Sequence, residues 1–354
     1  MKVMITGGAG YIGSNCAKIL SKLADIVIVD DFTTGHYDAI EGFKYHKVDI
    51  RDSKALDKVF KEEKVDAVIH FAAKSLVGES CADPYKYFSN NVYGTLELLK
   101  CMIDNNVKKI VFSSSAAVYG NTKDDVITEE TPKNPTSPYG ETKLMMEEMM
   151  KWFDEAYGLK YVSLRYFNVC GASDDSSVGE DHHPETHLIP IIIQVLEGKR
   201  DHIDIFGSDY NTKDGTNIRD YVNVVDLVDA HIKALNYLMN GGESNIFNLG
   251  TNTGSSNLEI IRTVEKVSGK SINYKLVGRR PGDPDSLVAS CAKAERVLGY
   301  KNNHTLEDSL RTAIKFHETH KDGYKKWFVH LVKERHLRKI SSVDTVVSIE
   351  GKTS

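Results

Sequence analysis

Residues 2–13 read "KVMITGGAGYIG", a short apolar run that breaks at once into a glycine cluster, and few local patterns restrict a fold so tightly. The run "KVMIT" has the composition of a buried strand, and "NCAKILSKLA" beyond the glycines carries the three-and-four apolar spacing of a helix. A second strand, "DIVIVDD", closes one strand–helix–strand unit in about 30 residues. Gly7, Gly10 and Gly13 fit GxxGxxG, and Gly8, Gly10 and Gly13 fit GxGxxG. Glycine here permits the turn, lets the backbone approach a pyrophosphate, and lets the helix pack tightly on the strand. The helix N-terminus then offers free N–H groups and its positive dipole end to the phosphates. An acid answers at the end of the second strand: Asp30, about 20 residues beyond the glycines, where a carboxylate accepts hydrogen bonds from an adenosine ribose. Such a carboxylate repels a 2′-phosphate, so NAD is favoured over NADP; Asp31 alongside leaves the liganding position open by one residue.

Further strand-like runs follow at "KYHKVDI", "DAVIHFAA", "KKIVFSSSA" and "KYVSLRYFNV", separated by helical stretches at 53–63, 86–106 and 139–157. This alternation builds a doubly wound parallel α/β sheet of the Rossmann type, covered by helices on both faces. Asp49, in "VDI", can meet the adenine edge or simply cap its strand, and the small residues of "HFAA" leave space above the sheet. After about residue 170 the rhythm breaks into polar loops, a helix near 188–198 and a strand "HIDIFG". We read residues 1–167 as a dinucleotide-binding domain and 168–322 as a smaller C-terminal α/β substrate domain. The segment 218–250, a strand, a long helix and "NIFNLG", can return to the first domain. Residues 323–354, basic and then polar, form an extension in which no function is legible.

A net charge of −5 with no basic stripe over the first 320 or so residues argues against a nucleic-acid partner. Five cysteines, widely spaced and without a CxxC pair, point to reduced thiols and a cytoplasmic setting. No run of about 18 apolar residues would span a membrane, and no charged leader with an apolar segment precedes the first strand.

The stretch "SPYGETKLMMEE" opens a helix with Tyr139 four residues ahead of Lys143, which puts both on one face about 5–6 Å apart at Cβ. Upstream, "IVFSSSAAVYG" sets three serines at the end of a central strand, where Ser115 would point toward the end of a bound dinucleotide. A nicotinamide accepts hydride from a carbon only if the hydroxyl on that carbon loses its proton. A phenol of pKa about 10 becomes a usable base when an ammonium and a positive nicotinamide stand beside it. Ser115 would orient the reacting oxygen and stabilise developing charge.

The blocks "GGAGYIGS", "HFAA", "VGES", "NNVYGTLELL", "SSSAAVYG", "SPYGETK", "RYFNVCGA", "IFGSDYNTKDGTNIRDY", "FNLGT" and "RRPGD" occur in this order. On them the chain, over roughly residues 1–322, resembles the extended short-chain dehydrogenase/reductase family, and within it the UDP-glucose 4-epimerases. The resemblance implies cofactor contacts from Tyr11, Ile12, Asp30, Asp31, Phe32, Thr33, Thr34, Gly35, Asp49, Ile50, Phe71, Ala72, Ala73, Lys74, Asn90, Tyr139, Lys143 and Phe167. It implies contacts to a UDP-sugar from Ser115, Tyr139, Asn168, Leu188, Phe206, Arg219, Arg280 and Asp283, and a homodimer through the helices at 86–106 and 139–157. Arg219 and Arg280 suit a diphosphate because a guanidinium can clamp it bidentately. Three positions depart from the pattern: Ser75 stands where some epimerases have a lysine, His187 replaces an asparagine near the sugar diphosphate, and Leu287 occupies the wall that limits sugar size.

The reaction so implied is oxidation of the sugar at C4, rotation of the 4-keto sugar in the pocket, and return of hydride to its other face. Related dehydratases usually carry an acid just after the serine; here Ala116 and Ala117 follow, which argues for simple return of the hydride. Another sugar-nucleotide epimerase, a 4,6-dehydratase, or a binding module without catalysis are the competing readings. Intact Ser115, Tyr139 and Lys143 oppose the last. No metal is expected: His183 and His187 in "EDHHPETH" have helical spacing, but Pro184 lies between them and no HExxH order is present.

Overall fold

A computed structural model describes residues 1–122, 126–280 and 283–324. The extension from 325 onward, and the Pro-Gly of the "RRPGD" block, lie outside the described residues.

The chain opens with β1 (Lys2–Thr6), α1 (Tyr11–Leu20), β2 (Asp25–Asp30), β3 (Tyr45–Lys47), α2 (Ser53–Glu63) and β4 (Ala67–His70). It continues through α3 (Val77–Ala82), α4 (Pro84–Tyr87), one π-helical turn (Phe88–Tyr93), α5 (Gly94–Asp104), β5 (Lys109–Ser113), α6 (Pro138–Tyr157) and β6 (Lys160–Tyr166). There follow β7 (Asn168–Cys170), α7 (Leu188–Leu196), β8 (Ile203–Phe206), β9 (Ile218–Arg219), β10 (Tyr221–Asn223), α8 (Val224–Met239) and β11 (Asn245–Leu249). The last elements are β12 (Ser255–Ser256), α9 (Asn257–Ser268), β13 (Tyr274–Val277), β14 (Ser286–Leu287), α10 (Ala292–Leu298) and α11 (Leu306–Thr319).

Seven of these strands form one parallel sheet in the order β11-β6-β5-β4-β1-β2-β3. The direction of winding reverses beside β1, and ligands of such sheets bind beyond the carboxyl ends of the strands at that point. Period-two alternation along each strand feeds two separate cores. Val3 and Ile5 of β1 point into the cluster shared with α1 and α8, while Met4 between them joins the cluster under α2, α5 and α6. Fully buried side chains of this size contribute roughly 1.5–3 kcal/mol each.

The remaining strands make small sheets: β7 with β10, β12-β9-β14, and β13 with β8. Ile189, Ile192 and Ile193 of α7, Ile260 and Ile261 of α9, and Leu310 and Ile314 of α11 close a third core over them. The chain between β10 and β11 does return to the large sheet: α8 packs on α1, β5 and β6, and β11 pairs with β6 from Asn245↔Val162 to Leu249↔Tyr166.

Two expected elements are interrupted, both at the cleft. The helix expected over 86–106 is split by the π-helical turn, where Asn91 both accepts from Lys74 N (2.8 Å) and donates to Lys74 O (3.0 Å). Those bonds to the loop after β4 compensate the irregular ladder, and such turns recur at functional sites. The strand expected over 160–169 ends at Tyr166, and Phe167 carries the chain from the large sheet to β7. Among the described residues no helix is long and apolar enough to cross a membrane.

Candidate active site

The glycine turn lies directly after β1. Gly7 takes φ +72°, and a Cβ there would stand 2.5 Å from Ala72 N; one on Gly13 would stand 2.2 Å from Gly7 O. The backbone is therefore packed too closely for any side chain, and α1 begins at Tyr11 with its N-terminus facing the cleft. At the end of β2, the Asp30 carboxylate accepts from Ala9 N (2.9 Å) and Phe32 N (2.8 Å). Burial raises its pKa, and the two N–H groups partly oppose that rise. Lys74 reaches across from the loop after β4 to donate to Thr33 Oγ1.

Ser115 follows β5, and Tyr139 and Lys143 lie on the first turns of α6. That helix starts where it does because Ser137 caps it, accepting from Gly140 N (3.2 Å), and Pro138 fills the first position, where no N–H is needed. Lys143 is buried, donates to Ser113 O (2.7 Å), and sits 5.8 Å from the Tyr139 ring centroid. Burial brings its pKa down to about 7, against the attraction of Glu147 one turn on. The sequence suggested that this ammonium would draw the phenol's pKa down. Burial by itself raises the Tyr139 pKa, and its hydrogen bond with Ser115 opposes the rise.

Beneath these residues lies an ion pair that the sequence did not reveal. Arg165 Nε and Nη2 donate to Glu147 Oε1 (2.9 Å) and Oε2 (2.5 Å), Ser114 Oγ donates to Glu147 Oε1 (2.6 Å), and Arg165 Nη1 donates to Tyr119 OH (2.9 Å). The two side chains are only 1% and 2% exposed.

On the opposite wall, Arg280 stacks over the Phe206 ring at 3.9 Å, and Arg219 Nη2 donates to Asp283 Oδ1 (3.1 Å). Asn168 begins β7, and His187 and Leu188 open α7. His187 Nδ1 lies 2.6 Å from Glu180 Oε1; that carboxylate holds the imidazole up at about 9 although burial opposes it.

Gly7, Gly10, Tyr11, Ile12, Gly13, Asp30, Asp31, Thr33, Thr34, Ile50, the Phe71–Lys74 stretch, Asn90, Phe167 and all the residues of the two preceding walls named for substrate or catalysis line one cleft of about 1630 Å³. A single small-molecule site occupies about 300–1,000 Å³, so this space suits two ligands end to end. Three expected residues are not on its lining. Phe32 stacks on Tyr37 at 3.7 Å, Gly35 is pressed against Ala9 and Asp30, and Asp49 is held by Arg51 Nε at 2.9 and 3.0 Å. Glu180, Asn217 and Tyr166 line the cleft without having been picked out from the sequence.

The family model described as GDP-mannose 4,6 dehydratase matches residues 4–313. The chain is 54% identical over 327 residues to the UDP-glucose 4-epimerase of Lactobacillus helveticus, covering 92% of this chain and 99% of that protein. It is 42% identical over 336 residues to that of Bacillus subtilis, covering 92% and 99%. Among solved structures, a UDP-glucose 4-epimerase superposes with a TM-score of 0.91 at 48% identity, covering 92% of this chain and 100% of that one. The enzyme from Bifidobacterium longum in complex with NAD+ and UDP gives 0.86 at 38% identity, covering 92% and 100%.

Proposed function

The chain belongs to the UDP-glucose 4-epimerase family, and from that premise we propose how its residues work. It is an NAD-dependent isomerase that interconverts UDP-galactose and UDP-glucose through a 4-keto sugar. The turn at Gly7 and Gly13, closed to any side chain, fits a dinucleotide pyrophosphate, and Asp30 at the end of β2 fits its ribose. Bound there, NAD would supply the acceptor and donor of the C4 hydride.

The observation that carries the assignment of roles is the convergence of Ser115, Tyr139 and Lys143 on one cleft with that turn. Tyr139 removes the proton of the C4 hydroxyl and later restores it, Ser115 holds the reacting oxygen, and Lys143 holds the cofactor's ribose end. Arg219 and Arg280 engage the diphosphate, Asp283 the uridine ribose, and Asn168, His187, Leu188 and Phe206 the remainder of the UDP-sugar. Fixing the nucleotide firmly leaves the sugar free to turn over. Ala116 and Ala117 beside Ser115 supply no acid for expelling water, which favours the epimerase over a dehydratase.

Incubation of Tyr139→Phe with UDP-galactose tests this. Turnover is expected to fall by about 10²–10⁴ while bound NAD is retained; a normal rate would overturn the role given to the phenol. A homodimer is supported by Tyr93 of the π-helical turn, Leu96 of α5 and Met145 and Trp152 of the adjoining α6, large apolar side chains left exposed. Light scattering at twice the chain mass is the expected result, and a monomer at micromolar concentration would contradict it. Four cysteines buried as free thiols support a cytoplasmic setting.

A further inference from the structure

We propose that Glu180, His182, Glu185 and His187 form a binding site for one divalent transition-metal cation of the zinc class, set in the cleft wall beside α7. One ligand atom of each lies within 4.8 Å of all the others. His182 Nδ1 stands 3.2 Å from Glu180 Oε1 and 3.8 Å from Glu185 Oε2, and His187 Nδ1 stands 3.5 Å from Glu185 Oε1. Ligands held about 2.0–2.2 Å from a tetrahedral ion are about 3.3–3.6 Å apart; the His182–Glu180 separation is near that, and a turn of the Glu185 carboxyl would bring one of its oxygens to both imidazoles. The shorter separation, His187 Nδ1 to Glu180 Oε1 at 2.6 Å, is a hydrogen bond whose proton a cation would replace.

Two further observations point to a ligand. His182 Nδ1 is enclosed and faces both carboxylates, 3.2 Å from Glu180 Oε1 but without the alignment of a good hydrogen bond. The carboxylates are themselves only 8% and 5% exposed, and among the described residues their ion pairs are to histidines alone, with Glu185 Oε1 also accepting from Thr186 N and His187 N at 2.8 Å each. The comparable group of His46, Glu62 and Glu63 differs, because Lys2 and Lys44 already neutralise it. Imidazole mixed with carboxylate suits zinc, cobalt or nickel, whereas calcium and magnesium take oxygen shells. His183, the other sequence candidate, is well exposed and turned toward Asp181. Pro184 does exclude the helical arrangement, and the loop brings His182 in its place.

Occupancy would tie Glu180 and His182 to the start of α7, and so fix His187 and Leu188 in the cleft; this consequence for substrate affinity rests on the function proposed above, but binding itself does not. The test is titration of the chelator-treated holoenzyme with Co²⁺. The expected result is a visible ligand-field band of a tetrahedral site, saturating at one ion per chain and displaced by Zn²⁺. His182→Ala and Glu185→Gln should each weaken binding by more than about 10–100-fold, the range for losing a supporting partner alone. His183→Ala should leave it unchanged. If the first two variants do not fold, anomalous scattering from Zn²⁺-soaked wild-type crystals gives the same decision, with the peak expected among these four side chains. No saturable band, undiminished binding in the folded variants, or a peak elsewhere would each overturn the proposal.

Discussion

Glu147→Gln is the sharpest test of how the site is supported. The carboxylate is 2% exposed and receives three hydrogen bonds, two from Arg165 and one from Ser114. Glutamine nearly preserves the shape but removes the charge and turns one acceptor oxygen into an N–H donor, which then faces Arg165 Nη2. An uncompensated buried guanidinium costs about 3–5 kcal/mol, a large part of a typical total stability of about 5–15 kcal/mol. Urea unfolding with NAD held at fixed concentration should therefore show a lower midpoint with unchanged slope, the product of midpoint shift and slope giving a loss of that size. Replacing both partners, Glu147→Leu with Arg165→Met, should recover much of the loss, because neither charge then remains buried. A single-variant loss under about 1 kcal/mol, or a double variant no better than the single, would refute the reasoning. Because Ser114 adjoins Ser115 and Glu147 lies one turn beyond Lys143, epimerisation should fall in the single variant even where it stays folded.

Gly13→Ala should abolish NAD retention, since its Cβ would stand 2.2 Å from Gly7 O; fluorescence titration with NADH would read this, and normal affinity would contradict the packing. His70, buried between Thr6 Oγ1 (2.6 Å) and Thr95 Oγ1 (3.0 Å), is brought down to about 3, first by burial and then by Lys143. Unfolded histidine titrates near 6.5, so between about pH 6.5 and 3 the unfolded chain binds more protons and stability falls as pH falls, by at most about 1.4 kcal/mol per unit. His70→Gln should flatten that slope in urea titrations across this range; an unchanged slope would remove His70 as its source.

What could be read from the chain was whatever rests on local pattern. The glycine turn needs only its own neighbours to be recognised, and short, largely apolar runs announced β1, β2, β4, β5 and β6 because each is buried on both faces. The spacing of Tyr139 and Lys143 is likewise a property of one helix. Features made by distant partners were not legible. The π-helical turn depends on Asn91 meeting Lys74, and the break at Phe167 depends on β10 waiting to pair with β7. Glu147 and Arg165 look like surface charges until α6 is laid over β6. Asp49 had two readings, and its carboxylate is held by Arg51, two residues along, a contact the spacing did not announce. The burial that raises the Tyr139 pKa was hidden for the same reason: spacing gives the distance to Lys143 but not how deeply both are buried.

The pairing of β11 with β6 also bears on how the protein is made. A ribosome finishes β6 at Tyr166 but does not reach Asn245 until residues 167–244 have been added, a delay of about 4–16 s at typical translation rates. Throughout that interval the rim of the nascent sheet is bare of its last neighbour, a template on which another growing chain could dock. Truncations upstream of Asn245 would make that transient condition permanent, so inclusion bodies are the expected fate of such fragments.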